Sequence, residues 1–474
     1  MVSWDKSRDK KWRTMPDYLE LRGIPGYSFP AIPAPSVAAT WLLANQLLAN
    51  EWRPREDIEA NQIMQLRTLV QFAEEQCPFY ADRIRSCGMT PGALSDMEGF
   101  RLLPPLTRRD LQDSFQHIRA RKPPLGTEVV GELKTSGSTG SPVRVLGTNA
   151  SGAMWNACNV RDHIWAGLDL KACLVSIRHF PNDVRGARTP EGVNLTNWGG
   201  QTAQMFVSGS SHLMDVGMSP DLQIDFILKH NPDYVLSYPS NLETLGRILA
   251  ERGQKLKRLQ MLQTIGEVLP AQMRENIEGF FGVPVWDLYS CVEVGYVASQ
   301  CPSGCGYHVH EENVVVEVLN DENKPCSPGE TGRVVITTLV NYASPLIRYD
   351  LGDYATLMDG PCPCGRGLLG LKEIIGRQRG QILMPDGSVR FSSHLSTAIR
   401  DAGKIRQFQV VQHERGRVEI LIVPMEGFGE AEQKKIVEEF QAYLGFPIRV
   451  TFTMVSKIER QAGGKYLDFV CKAK

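Results

Sequence analysis

From about residue 130 the chain alternates short β-rich apolar runs with amphipathic helical ones, and no other feature restricts its fold as strongly. The order is ACLVSIRHF, DLQIDFILKHN, DYVLSYPS, NLETLGRILAERG, LQMLQTIGE, AQMRENIEGFFG and VPVWDLYS. Strand and helix in turn at this spacing predict an α/β fold with a largely parallel sheet. Upstream, residues 1 to about 125 read as a mostly helical lead-in, because IMQLRTLVQFAEEQCPFYADRI and LTRRDLQDSFQHI carry apolar residues at helical spacing around a Pro-rich break. Beyond about 310 the runs shorten. NVVVEVL, GRVVITTL and PLIRYDLGDYATL lie between Pro/Gly turns and read as antiparallel strands. The tail adds a DG hairpin (QILMP-DGS-VRFS), the strands FQVVQ and RVEILIVP, the helix EAEQKKIVEEFQAYLG and the strand IRVTFTMV. That is enough for a small α+β domain of its own. GRQRGQ has two glycines and no apolar anchor and is the expected hinge, dividing the chain into 1–376 and a mobile 377–474.

Composition narrows the class. With 474 residues, 42% hydrophobic and 22% charged, the chain can bury several ordinary cores. A net charge of −1 gives no reason to expect a nucleic-acid partner. MVSWDKSRDKKWR is too polar for a secretory leader, and SVAATWLLANQLL is shorter than the roughly 20 residues that span a bilayer. A cytoplasmic enzyme without a membrane anchor is expected. The 11 cysteines therefore read as reduced thiols, some of them metal ligands, rather than as a disulfide framework.

Ligands of an open α/β sheet bind at the carboxyl ends of its strands, so the loops that follow strands carry the chemistry. TSGSTGSP follows the strand-like GELK and sets Thr135, Ser136, Gly137, Ser138, Thr139 and Gly140 in one loop. Glycine permits close backbone approach, and the hydroxyls with successive N–H groups suit phosphate oxygens. A plain flexible turn has the same composition. No lysine follows Gly140, so this is not a GxxxxGK[ST] loop, and Arg144 is the charge nearby. TIGE ends one strand with Gly266 and Glu267, and YSCVE ends another with Tyr289, Cys291 and Glu293. A carboxylate in such a loop is either an ordinary helix-start residue or a Mg²⁺ ligand beside nucleotide phosphates. Asp353 of IRYDLGD follows a glycine and is either a turn aspartate or an acceptor for vicinal ribose hydroxyls. Lys465 of QAGGKY is either a solvated terminal lysine or a mobile point charge for a phosphorus transition state.

These elements, in this order, resemble the adenylate-forming superfamily of acyl-CoA synthetases, peptide-synthetase adenylation domains and luciferases. The closer likeness is to its phenylacetate–CoA ligase branch and the related CapK-like coenzyme synthetases. TSGSTGSP, SYPSNL, YSCVEV, PLIRYDLGD, IIGRQRG and GGK carry the resemblance, together with CPFYADRI and LPPLTRRDL, over roughly residues 60–474. It implies a role for each motif. Thr135 to Gly140 would cradle the ATP phosphates, Gly266 and Glu267 would edge the adenine with Tyr289 near it, and Glu293 would hold Mg²⁺. Asp353 would bind the ribose hydroxyls with Arg377 assisting, and Lys465 would reach the carboxylate and α-phosphate. Tyr238, Pro239, Ser240 and Cys291 would lie along the acid, with Trp155, Trp198 and Phe180 as further candidate walls, although large aromatics are more often core residues than ligand contacts. The expected reaction is ATP-dependent activation of a carboxylic acid, aromatic by resemblance, and transfer to CoA. An amine or carrier-protein acceptor and a non-catalytic nucleotide- and zinc-binding descendant stay open, and a homodimer is a mild expectation.

Some positions depart from the family pattern. YDLGD puts Asp350 where the family has an arginine, and Arg379 and Gly380 occupy the place of the hinge aspartate. CPSGCGYH and CPCG supply Cys301, Cys305, His308, Cys362 and Cys364, soft ligands that suit tetrahedral zinc. Resemblance to zinc-containing members selects Cys301, His308, Cys362 and Cys364, with Cys305 the alternative to Cys301 and His310 a weaker candidate. Buried reduced thiols are the competing reading.

Overall fold

Five parallel strands form the middle of the molecule, ordered Ser211–Asp215, Leu174–Arg178, Tyr234–Ser237, Met261–Ile265 and Val285–Cys291. They belong to a computed structural model that describes residues 19–28, 30–135, 142–180, 184, 186–377, 381–460 and 466–473. The crossover helices start and stop where the sequence punctuates them. Pro220 and Pro239 open two of them at the first turn, where a missing N–H costs nothing. Asn231 and Gly282 close two of them in the left-handed conformation. Leu242, Leu245 and Ile277 of these helices are fully buried against Val175, Val235 and Leu262 of the strands. Each such side chain contributes roughly 1.5–3 kcal/mol.

The antiparallel strands expected beyond residue 310 do not stand apart. Gly295–Gln300 pairs with Val285–Cys291, and Tyr307–Val309, Gly370–Arg377, Tyr349–Leu357, Thr331–Thr338 and Val314–Leu319 follow edge to edge. With Val193–Leu195 antiparallel to Ser211–Asp215 at the other edge, this makes one sheet of 12 strands among the described residues.

The lead-in is helical at Pro35–Asn50, Arg55–Gln76, Pro78–Ser86, Met97–Phe100 and Arg108–Ile118. A small hairpin, Gly23–Ser28 with Ala31–Pro33, precedes these helices and was not foreseen. Leu66, Leu69, Val70, Tyr80 and Ile84 share one apolar core with Val314, Val316 and Ile336 of the antiparallel strands. A Thr107/Asp110 capping box starts the last of these helices: Thr107 N donates to Asp110 Oδ2 at 2.9 Å, and Asp110 N donates to Thr107 Oγ1 at 3.1 Å.

The C-terminal domain has its own sheet, ordered Arg449–Met454, Arg417–Pro424, Ile405–Glu414 and Phe469–Cys471. Its core is its own, with Ile382, Leu395, Val410, Ile420, Ile436 and Phe440. The helix Ser393–Ala402 and the closing strand Phe469–Cys471 were not read from the sequence. Arg379 and Gly380 of the expected hinge lie outside the described residues. Among the described residues no helix is long and apolar enough to cross a membrane.

Candidate functional site

Described residues of the segments singled out in the sequence meet along the carboxyl edge of the parallel strands. Tyr289, near the end of Val285–Cys291, donates its hydroxyl to Asp353 Oδ2 at 2.7 Å, and Asp353 is buried at 7% exposure. Asp353 lies opposite Arg377 in the antiparallel register, so three predicted residues from three segments converge. Asp350 pairs with Arg333 and accepts from Gly352 N at 2.9 Å, so the carboxylate that departs from the family pattern has its own cation.

Glu293 is 4% exposed in the turn beyond that strand. Among the described residues its ion-pair partner comes from the lead-in: Arg108 Nη1 lies 3.9 Å from Glu293 Oε1. Arg108 Nη2 also donates to Thr135 Oγ1 at 3.4 Å, at the mouth of the Ser/Thr/Gly loop. Thr135 N donates to Val143 O at 3.0 Å, and Val143 N donates to Thr135 Oγ1 at 3.0 Å, which closes the loop at its base. Ser136, Gly137, Ser138, Thr139 and Gly140 lie outside the described residues. Arg108 Nε is buried without a hydrogen-bond partner among the described residues. Arg144, expected to serve this loop, lies 4.6 Å over the Phe115 ring and 3.8 Å from Glu132. Sequence reading missed Arg108. The capping box in LTRRD marks a helix start and puts Arg108 at its first position, but nothing local says where that side chain reaches.

Glu267 follows Gly266, whose φ of +75° makes the turn out of its strand. Its carboxylate joins the two halves of the molecule. Tyr466 N donates to Glu267 Oε1 at 2.6 Å, Ser240 N donates to Oε2 at 3.2 Å, and Arg460 Nη1 lies 3.5 Å away. Arg460 Nη1 also donates to Ser240 Oγ at 3.2 Å, so Ser240 meets the C-terminal domain. Lys465 lies outside the described residues; the backbone of the residue after it is the one Glu267 holds.

Tyr238 is buried and its hydroxyl accepts from His179 N at 3.2 Å, while burial raises its pKa. Pro239 opens the helix that follows. Cys291 is half-buried and packs against the core shared with the lead-in. Of the other aromatic candidates, Trp198 donates to Ala172 O at 2.8 Å and belongs to the core's margin, and Phe180 is buried. Trp155 is 42% exposed and lies over Gly295, where an added Cβ would come within 2.9 Å of its ring.

A second cluster lies at the turn between Gly295–Gln300 and Tyr307–Val309. The ligand atoms of Cys301, His308, Cys362 and Cys364 all fall within 4.8 Å of one another. Cys301 Sγ is 3.6 Å from Cys362 Sγ, and His308 Nε2 is 3.2 Å from Cys364 Sγ. Those edges are close to the roughly 3.8 Å of a tetrahedron with zinc–sulfur bonds of about 2.3 Å. His308 Nδ1 is 3.3 Å from Leu368 O, the kind of bond that leaves Nε2 free to coordinate. Cys305 Sγ is directed to Ser303 O at 3.6 Å and is not in the set. His310 is occupied by Arg161 and by Ser299 Oγ at 2.8 Å.

Residues 119–339 match the AMP-binding enzyme family and residues 382–472 the CapK C-terminal domain family. The phenylacetate-coenzyme A ligase of Thermus thermophilus is 23% identical over 452 residues, covering 88% of this chain and 96% of the relative. The phenylacetate-coenzyme A ligase of Pseudomonas putida is 23% identical over 430 residues, covering 86% and 92%. Among solved structures, 2-hydroxyisobutyryl-CoA ligase in the postadenylation state with R3-HIB-AMP has a similar fold, with a TM-score of 0.71 at 18% identity. That match covers 89% of this chain and 91% of the other.

Proposed function

Since this chain belongs to the adenylate-forming superfamily, in its phenylacetate–CoA ligase and CapK-like branch, we propose that it activates a carboxylic acid with ATP and passes the acyl group to CoA. The observation that carries the reading is the meeting, at one sheet edge, of Tyr289–Asp353, Glu293–Arg108–Thr135 and Glu267–Tyr466. An aromatic acid is the finer reading, supported by the named substrate of the two relatives.

A carboxylate is already a nucleophile, so its attack on the α-phosphorus needs alignment and charge neutralisation rather than a general base. Its oxygen forms the new O–P bond as the bond to pyrophosphate breaks. Asp353, held by the Tyr289 hydroxyl, would accept the ribose hydroxyls, with Arg377 assisting. Gly266 would let the backbone pass close to the adenine. Thr135 and its loop would cradle the phosphates, and Arg108 would place a guanidinium at the mouth of that cradle. Glu293 would hold Mg²⁺, which when bound offsets charge on the departing pyrophosphate. Lys465 would approach the carboxylate and α-phosphate while Glu267 holds the next backbone N–H.

In the second half-reaction the CoA sulfur bonds the acyl carbon and AMP leaves with the mixed-anhydride oxygen. Rotation of the C-terminal domain about a hinge near 377–380 would free the acyl-adenylate for the thiol, breaking the Glu267–Tyr466 and Arg460–Ser240 bonds. Cys301, His308, Cys362 and Cys364 would hold a structural Zn²⁺ that ties two antiparallel turns together, with no part in acyl transfer.

Acid-dependent exchange of labelled pyrophosphate into ATP, run over aryl, arylacetic and aliphatic acids, tests the first step, and thioester analysis with CoA tests the second. Absence of exchange with every acid rejects the reading.

A further inference from the structure

Arg178 ends the parallel strand Leu174–Arg178, at the same carboxyl edge as Tyr238 and Glu267. Its guanidinium lies 4.4 Å over the Phe180 ring, and no carboxylate among the described residues lies within 4 Å of it. Other deeply placed guanidinium groups differ. Arg161 holds Glu312 at 3.1 Å, Arg348 holds Glu317 at 2.9 Å and Arg366 holds Glu51 at 3.0 Å. The nearest carboxylate along the register, Asp215, is already taken. It accepts from Phe180 N at 3.0 Å and Gly217 N at 2.9 Å, with Arg188 at 3.3 Å and His179 at 3.6 Å. Burial holds the Arg178 guanidinium below its ordinary pKa, although the residue keeps part of its surface open. A partly desolvated cation with no counter-ion among the described residues is unfavourable unless something completes it, and a ring face offsets only part of the deficit.

Its place in the sheet says what would complete it. Three strand spacings separate it from the strand of Tyr289, in the order Val285–Cys291, Met261–Ile265, Tyr234–Ser237, Leu174–Arg178. At about 4.8 Å each, that is roughly 14 Å from the nucleotide side. The reacting carboxylate must meet the α-phosphate, so Arg178 is too far along the edge to be its partner. We propose that Arg178 binds a second anionic group at the distal end of the acid, so that the preferred substrate is a dicarboxylate or a similarly charged acid. This rests on the adenylation reading and sharpens it from any carboxylic acid to one charged at both ends. Tyr238, between the two ends of the span, provides the wall along which the acid's body lies.

The test compares matched acids in the pyrophosphate-exchange assay: 4-carboxyphenylacetic acid against its 4-carboxamide, and adipic acid against its monoamide. For one of these pairs the wild-type protein is expected to favour the diacid by about 30-fold or more in kcat/KM, as for a desolvated charge pair. Arg178→Met brings that ratio to within a few-fold of one, and Arg178→Lys retains part of it. Circular dichroism and a melting curve establish that each variant is folded. No diacid preference in either pair, or a preference that survives Arg178→Met, overturns the assignment and leaves adenylation standing. Exchange with none of these acids, nor with benzoic or phenylacetic acid, overturns both.

Discussion

The lead-in helices and the C-terminal domain are both appended to the same large sheet, and each brings an arginine, Arg108 and Arg460, to its carboxyl edge by opposite physical means. The lead-in shares a dry core with the antiparallel strands, through Leu66, Leu69 and Val70. Arg108 is therefore fixed beside Thr135 and Glu293 by packing. The C-terminal domain has a core of its own and meets the sheet through polar contacts. Tyr466 N and Arg460 bond Glu267, and Arg247 Nη1 donates to the carbonyls of Ile405 at 3.1 Å and Arg406 at 3.0 Å. Polar contacts of this kind exchange with water at little net cost, whereas parting an apolar core does not. In the proposed cycle the permanent interface carries the cation needed whenever ATP is bound, and the reversible one carries the lysine that must leave.

Substitutions on the two sides should therefore fail differently. Lys465→Ala is expected to lower acid-dependent exchange by roughly 10²–10³-fold, the cost of one charge-stabilising group, with its melting temperature unchanged. Unchanged exchange would remove that residue from the mechanism. Leu69→Ala opens a cavity in the shared core and should cost about 2–5 kcal/mol in denaturant unfolding. A cost near zero would show that the lead-in is not integral to the fold.

A pH effect comes next in size. Glu51, at the end of the first lead-in helix, is fully buried, and burial pushes its pKa up to about 7 despite Arg366 and Arg161. A carboxyl raised on folding binds its proton more tightly in the native state. Its contribution is complete below about pH 4.5, the unfolded value, and is lost as pH rises through 7. Stability should fall by about 2 kcal/mol between pH 5 and 8, and Glu51→Gln should flatten that slope. A slope identical in the variant would show that Glu51 does not titrate in this range. Smallest, Arg108→Met should reduce kcat/KM for ATP by roughly 10-fold with stability nearly intact. A loss of stability without a change in ATP kinetics would make Arg108 a structural residue.

Much of this architecture is legible in the residues. Four of the five parallel strands and the helices between them follow from runs such as DYVLSYPS and NLETLGRILAERG, where period, β-branching and proline agree, whereas Ser211–Asp215 was not read from the sequence. Asp353, Tyr289 and Glu293 could be singled out because each ends a strand or follows a glycine at the expected edge, and the family resemblance implied that they act together. Arg108 and Arg178 could not. Each is an ordinary arginine in its local window, and its meaning lies in what it meets (Thr135 and Glu293) or, among the described residues, fails to meet (a carboxylate). Trp198 stayed open between pocket and core for the same reason, since an aromatic residue reads alike in both, and its bond to Ala172 O puts it at the core's margin.

The sequence by itself determined the alternation of elements, the turns that end them and the chemical kinds of its loops, because backbone sterics and side-chain period act over a few residues. Only the tertiary structure decided that the antiparallel strands extend the parallel sheet, that Glu267 receives the backbone of Tyr466 across 199 residues, and that Arg178 has no counter-ion among the described residues. Such pairings depend on which apolar faces are buried together, and no local window contains that information.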